Sequence, residues 1–291
     1  MHHFTISDIE QLTGIKAHTI RVWEQRYSIC TGKRKESGHR FYDDEDLKKI
    51  LRLAYLYHNG VKISALAEMK EDELSSVALS LSPQGQFDVF INQLLEVTQT
   101  FDQYNFEKLL HMIILHLGFE KTILEVVYPY LERIGLLWLT DNAIPAQEHF
   151  ASNLIQKKLI VAIDGLDAPP PGAKRIILLF TPPGEAHELP LLFMHYLMKK
   201  NGNRVIYLGK EVPVEVIEAF TRRFEVTHLY FHLITHLQET DPAGYIRSLV
   251  TAFPAIKITG SGPALAKMDD QPAGFSLLSS MSAMLKFAKA S

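Results

Sequence analysis

The chain has a single cysteine, Cys30, among 291 residues. One thiol excludes an internal disulfide framework and a cysteine-built metal centre, and it fits a reducing compartment. Long apolar runs are also lacking: no stretch approaches the roughly 20 residues a membrane helix needs. The N-terminus, Met-His-His-Phe-Thr, has no charged segment leading into an apolar one, so no export signal is expected. These absences predict a cytoplasmic protein with no membrane partner. Charge of one sign is missing too, since 30 Lys and Arg stand against 33 Asp and Glu, a net −3. That balance leaves nucleic acid open as a partner, because a basic patch can sit inside a neutral total. No sustained heptad seam is present. What remains is an ordinary globular composition, 47% hydrophobic and 22% charged, in a chain long enough for two or three domains.

Residues 1–75 read as short helices around a basic segment. Thr5 or Ser7 can cap a helix carrying Ile9 and Leu12 and ending at Gly14. A second helix, capped near His18-Thr19, runs from Ile20 to Tyr27 with Ile20 and Trp23 inward and Lys16, Arg21 and Arg26 outward. Two short helices joined by a glycine turn make a helix-turn-helix. Thr31 to Tyr42 is basic, carries two glycines and ends in aromatics, as a β-hairpin wing would. Leu47 to Asn59 is a further helix with Asp43 to Asp46 ahead of it, and Val61-Lys62-Ile63-Ser64 begins a fourth. Between Lys16 and Arg40 the only acids are Glu24 and Glu36, a clustering of base that suits phosphate. A solvated basic loop beside a small helical domain is the alternative.

Thr19-Ile20-Arg21-Val22-Trp23-Glu24-Gln25-Arg26-Tyr27 followed by Ser37-Gly38-His39-Arg40-Phe41-Tyr42 resembles the winged-helix DNA-binding domain of the MerR family, in the branch of the MlrA and CarH/LitR types. The resemblance covers nearly all of residues 4–70. It implies a double-stranded DNA operator as partner. Thr19, Arg21 and Arg26 would lie on the recognition helix toward the major groove, Arg40 on the wing at the minor groove or phosphates, and Tyr42 at a phosphate. With no long dimer helix following the module, half-site pairing would come from the rest of the chain, as a dimer or tetramer.

Residues 84–165 carry four helical runs with short connections, a four-helix bundle pattern. The third, Glu120 to Thr140, is expected to kink at Pro129, and the fourth begins with Pro145 near its first turn. Trp138 closes the third run, and Glu148 and His149 open the fourth. A flat apolar ring, a carboxylate and an imidazole across a short turn suit a ligand with a flat face and hydrogen-bonding groups. The alternative is a core tryptophan and a first-turn glutamate favoured by the helix dipole.

After the proline-rich linker Asp164 to Lys174, residues 173–291 alternate five short β-branched or apolar strands with helices. That pattern predicts a doubly wound parallel sheet of Rossmann or flavodoxin-like type, with ligands at the carboxyl ends of its strands. The first strand ends in Thr181-Pro182-Pro183-Gly184-Glu185-Ala186-His187. A strand-end His187 with Glu185 holding its tautomer is what an axial metal ligand requires. A solvent-facing loop histidine is the alternative.

Glu185-Ala186-His187, the run Thr259-Gly260-Ser261-Gly262-Pro263 and the preceding bundle resemble the cobalamin-binding module of methionine synthase-like proteins. The Trp138…Glu148-His149 spacing resembles the bundle of CarH/LitR-type adenosylcobalamin photoreceptors, so the resemblance spans the whole chain. It implies His187 as the metal ligand, binding cobalt from below. Trp138, Glu148 and His149 would line the upper adenosyl pocket, with Gly260, Ser261 and Gly262 bordering the nucleotide tail. Pro190 stands where the motif has glycine, and Thr235 is the only hydroxyl near the exit of the third strand. The expected function is a non-enzymatic transcriptional repressor that senses adenosylcobalamin and light through oligomerisation. A cobalamin-independent regulator held by a protein antagonist is the alternative, and a corrinoid methyl carrier is disfavoured by the winged helix.

Overall fold

The computed structural model describes residues 4–13, 15–29, 31–34, 40–80, 87–139, 143–169, 172–235, 241–268 and 271–290. The chain forms two compact units, Met1–Ile155 and Gln156–Ser291. The winged-helix region and most of the expected bundle thus share one unit, and the division falls inside a helix, ahead of the proline-rich stretch.

The first unit begins with α1 (Ile6–Thr13), capped by Thr5, whose hydroxyl accepts from the Asp8 amide at 3.2 Å while the Asp8 carboxylate accepts from the Thr5 amide at 2.7 Å. Helix α2 (Ala17–Tyr27) starts two residues ahead of the expected cap, and Lys16 at its N-cap supplies no side-chain bond. The cap comes from a neighbour instead: the Glu10 carboxylate of α1 accepts from the Ala17 amide at 2.9 Å. Strands β1 (Lys33–Arg34) and β2 (Arg40–Phe41) pair antiparallel, Lys33 opposite Phe41, as a short wing. The expected wing tip, Ser37-Gly38-His39, lies outside the described residues, as do Gly14 and Cys30. Helix α3 (Asp44–His58) opens on a reciprocal capping box between Asp43 and Asp46, which starts it three residues before Leu47. Helices α4 (Ile63–Glu68) and α5 (Glu71–Ser80) follow. Ile9, Ile15, Ile20, Trp23, Leu47 and Ile50 close one core.

Helices α6 (Asp88–Gln99) and α7 (Gln103–Leu117) precede α8 (Phe119–Thr122), a π-helical turn (Ile123–Val127), α9 (Tyr128–Leu139) and α10 (Pro145–Asp164). The expected kink at Pro129 takes the form of this π turn. Proline has no N–H to offer the carbonyl of Glu125, and the chain widens one turn ahead of it, the Tyr128 amide reaching back to Ile123. Phe150 of α10 meets Phe101 and Phe106 edge-on, while the Thr98 hydroxyl bonds that of buried Tyr130 at 2.7 Å. The end of α9 also meets the winged-helix region, Leu136 packing with Leu53, Leu56, Leu66 and Leu74.

In the second unit the strands are β3 (Ile176–Phe180), β4 (Arg204–Gly209), β5 (His228–His232), β6 (Lys257–Ser261) and β7 (Phe275–Leu278). All pair parallel in the order β4-β3-β5-β6-β7. The helices are α11 (Leu189–Lys200), α12 (Val214–Thr221), α13 (Pro242–Ala252), α14 (Pro263–Ala266) and α15 (Met281–Lys289). Alternation sorts the faces: Leu178, Phe180, Leu229 and Phe231 join Ile217 of α12 and Ile246 of α13 in the core. His228 and Tyr230 point to the other face, where Phe287 of α15 lies against both rings. The chain turns from one sheet edge toward the other between β4 and β5, so the carboxyl ends of β3 and β5 form the switch point. No described helix is long and apolar enough to cross a membrane.

Candidate functional site

On α2, Ile20 and Trp23 are buried, while Arg21 and Arg26 are exposed and Thr19 is half-buried. The helix therefore presents a basic face away from its core. Arg40 on the wing pairs with Glu24 at 2.8 Å, and Lys33 pairs with Asp43 and, at 3.5 Å, with Asp46. Tyr42 departs from expectation. It is fully buried with Ile9, Ile20 and Ile50, and its backbone bridges Phe4, so its ring forms part of the core.

Trp138 stands half-buried in the last turn of α9. Glu148 and His149 lie in the first turn of α10, where the imidazole Nδ1 and the carboxylate are 3.0 Å apart. Glu148 also accepts from Ser152 Oγ at 2.5 Å. The carboxylate is therefore held between two neighbours of its own helix, with His149 exposed beside it.

A hydrogen-bonded cluster lies at the switch point of the sheet. After β3, Pro182 to Glu185 form a turn closed by the Glu185 amide on the Pro182 carbonyl at 3.1 Å. Pro183 supplies the fixed second position and Gly184, at φ 83°, the left-handed third, which is a type II turn. The Thr181 hydroxyl donates to the Glu185 carbonyl at 2.6 Å. This turn swings the Glu185 side chain inward, where it is 0% exposed. Its Oε1 accepts from the His187 amide at 2.8 Å and from His187 Nδ1 at 2.6 Å. Its Oε2 accepts from the amides of Ile234 and Thr235, at 2.6 and 2.9 Å, and from the Thr235 hydroxyl at 3.2 Å. Burial raises the Glu185 pKa, but the His187 imidazole and the amides of Thr235 and His187 outweigh it and hold the carboxyl below its ordinary value. One ionised carboxylate thus ties the loop after β3 to the loop after β5.

The same bond fixes the histidine. With Nδ1–H donated to a carboxylate, the ring lone pair resides on Nε2. The His187 side chain is 53% exposed at the carboxyl ends of the strands. This donor set fits a single axial bond to cobalt in a corrinoid. Among the described residues no three His, Cys, Asp or Glu side chains gather to hold a bare metal ion.

The residues expected to border the nucleotide tail are packed against neighbours in the fold. A Cβ on Gly260 would meet Leu265 at 2.8 Å and Phe275 at 2.9 Å, so its missing side chain admits the chain's own core. Gly262, at φ +117°, lies against the Leu233 backbone, 2.2 Å from where a Cβ would sit. Ser261 is buried and bonded to Tyr230 at 2.5 Å and to His232 at 2.7 Å. Thr235 is engaged by Glu185. Sequence reasoning missed this Tyr230–Ser261–His232 chain; a hydroxyl on the residue opposite an alternating Tyr-x-His was the available signal. Burial pushes the His232 imidazole down to about 4, so it is neutral near pH 7. A separate cavity of about 400 Å³ lies along Ile160, Leu192, His195 and Tyr207 and holds none of the assigned residues.

Residues 4–73 match the MerR HTH family regulatory proteins, and residues 90–162 match the B12 binding domain. The chain is similar to the HTH-type transcriptional repressor CarH of Myxococcus xanthus, 30% identical over 219 residues that cover 73% of this chain and 72% of that protein. It is also similar to the HTH-type transcriptional repressor CarA of Myxococcus xanthus, 28% identical over 225 residues, with 73% and 70% covered. Among solved structures it shares a fold with the Methanosarcina barkeri monomethylamine corrinoid protein (TM-score 0.53, 14% identity, 70% of this chain and 98% of that chain). A MerR-type DNA-binding module followed by a B12 binding domain, in a chain this similar to two HTH-type repressors, makes this protein a transcriptional regulator, not an enzyme, and a member of the HTH-type repressor family that includes CarH and CarA.

Proposed function

We propose that the protein is a repressor that binds adenosylcobalamin in the dark, assembles into a homo-oligomer on a double-stranded operator, and releases it on illumination. The observation that carries this reading is the Glu185-held His187, presenting Nε2 at the switch point of a parallel sheet. Bound cobalamin would supply a cobalt–carbon bond that visible light cleaves. The chain's own residues do the rest. His187 would hold cobalt from below, and Trp138, Glu148 and His149 would line the adenosyl group. Thr19, Arg21, Arg26 and Arg40 would meet the operator, Arg40 exchanging Glu24 for phosphate. Pairing two modules doubles the phosphate contacts, which is how oligomerisation would raise operator affinity.

The test is an absorption spectrum and a size-exclusion profile of the full chain with adenosylcobalamin, dark and after green light. Expected are a bound, coloured, larger species that shrinks on illumination, and a His187→Ala variant with an altered spectrum and weaker binding. An unchanged spectrum in that variant overturns the axial role. A second reading, a cobalamin-independent regulator released by a protein antagonist, draws support from Pro190 and from the filled space beside Gly260. Full operator affinity without any cobalamin would favour it.

A further inference from the structure

Arg52 lies on α3 yet is only 1% exposed. Its guanidinium does not stay within its own helix pair. Nε donates to the carbonyl of Leu139 at 2.5 Å, and Nη1 pairs with Glu71 at the start of α5. Leu139 ends α9 and directly follows Trp138. The last carbonyls of a helix have no partner within it and carry the negative end of its dipole, so a cation there satisfies an orphan acceptor. Around this contact the seam is apolar: Leu136 of α9 packs with Leu53 and Leu56 of α3, Leu66 of α4 and Leu74 of α5.

A buried charged contact is a poor way to gain stability, because apolar side chains of like volume often do as well or better. Its distinctive property is geometric. Leucine against leucine tolerates small slides and rotations, whereas a planar fork bonded to one carbonyl and one carboxylate accepts one arrangement. Helix α3 in turn shares its core with α2: Leu47, Ile50 and Ala54 pack with Ile20 and Trp23, and Trp23 meets Tyr57 edge-on at 5.0 Å. A continuous path therefore runs from Trp138 through Leu139 and Arg52 to the helix that bears Arg21 and Arg26.

We infer that Arg52 is a positioning residue that locks the Trp138 end of α9 to the DNA-binding helices, so that displacement at Trp138 is felt at α2 and DNA binding is felt back at Trp138. Coupling between two sites is reciprocal, so either direction serves as a test. It rests on the cobalamin reading only for the second measurement below.

The probe is a duplex selected from a random-sequence library by the full chain without cofactor. In the first measurement, amide hydrogen exchange is followed over residues 136–139 and 143–147 with and without the duplex. Exchange in the wild type is expected to change by about 5-fold or more, within the usual range of coupling. In Arg52→Met, which keeps volume and removes the fork, the duplex still binds but exchange at α9 no longer responds. In the second measurement, the ratio of duplex Kd without and with adenosylcobalamin in the dark falls from about 5–150-fold in the wild type to within about twofold of unity in the variant. Wild-type exchange indifferent to the duplex, or Arg52→Met responding as the wild type does, overturns the inference. A wild type that shows exchange coupling but ignores adenosylcobalamin overturns the cofactor reading and leaves Arg52 in place. Should Arg52→Met not fold, Glu71→Gln decides, its carboxylate being half-exposed. A weakened response supports the lock, and an unaltered one overturns it.

Discussion

Replacing Glu185 by glutamine keeps the shape of the side chain and removes its charge. Every group around the carboxylate is a donor: the amides of His187, Ile234 and Thr235, the Thr235 hydroxyl and His187 Nδ1. An amide has one oxygen and one NH2, so whichever way it turns, its NH2 faces two or more donors. If it faces His187, the imidazole can accept only by moving its proton to Nε2, which removes the lone pair a metal would use. If it faces β5, two backbone amides are left buried and unpaired, at about 1–3 kcal/mol each. Glu185→Gln should therefore lose about 2–5 kcal/mol of stability, and metal affinity through His187 should fall by about 10–100-fold. A melting curve of the full chain would show the transition of the α/β unit lowered by the order of 10 °C. The sign of the pH response follows from the depressed carboxyl pKa: its stabilisation is complete above the unfolded value near 4.5 and disappears as pH falls through the lower folded value. The gap between wild type and variant should thus close in acid. A variant that melts with the wild type at pH 7, with unchanged exchange at Ile234 and Thr235, would refute the view that one carboxylate staples the two loops.

Arg175 Nη1 donates to the carbonyls of Phe287 and Ala290 at 2.9 and 2.5 Å, and its guanidinium covers the Phe287 ring at 4.4 Å. Arg175→Ala should destabilise by about 2–4 kcal/mol and expose α15 to protease, and undiminished protease resistance would refute that. Two glycine replacements should act in opposite directions. Gly262→Ala drives a Cβ into the Leu233 carbonyl at positive φ and should lose about 3 kcal/mol or more. Gly135→Ala, mid-helix with nothing within 4 Å, should gain about 1 kcal/mol; denaturant midpoints of the two variants decide. Burial holds His232 at about 4 against an ordinary 6.5, so protonation favours the unfolded chain. Stability should be intact above about pH 6.5 and decline toward pH 4, by about 3 kcal/mol from this group, a slope that His232→Gln should reduce.

Much of the architecture was legible because it rests on local rules. Alternating short β-branched strands and helices specify a parallel sheet, and the Pro-Pro-Gly turn after β3 announces itself. What sequence could not supply were partners distant along the chain. The cap of α2 comes from Glu10, on the preceding helix. Tyr42 follows the wing as a phosphate contact would, yet the close of the sheet onto Phe4 buries it. Gly260 and Gly262 read as room for a nucleotide tail, and the groups packed against them, Leu265, Phe275 and the Leu233 backbone, come from elsewhere in the chain. Nothing near Arg52 in the sequence announced that the end of α9 would cover it. The Glu185–His187 pair was visible two residues apart, whereas the Ile234 and Thr235 amides that complete it arrive from another strand.

The π turn at Ile123–Val127 gives α9 a phase as well as a path. A wide turn is what an α-helix becomes when it absorbs one surplus residue without disturbing either flank. Deleting Glu125 would let the backbone relax to ordinary pitch with both flanks in their present phase, whereas the same deletion in a regular α-helix would rotate everything downstream by about 100°. The indole of Trp138 would then keep its present azimuth. The bulge is in that sense a buffer: α9 takes up one residue more than an unbroken helix would, and Trp138, more than ten positions downstream, keeps its direction.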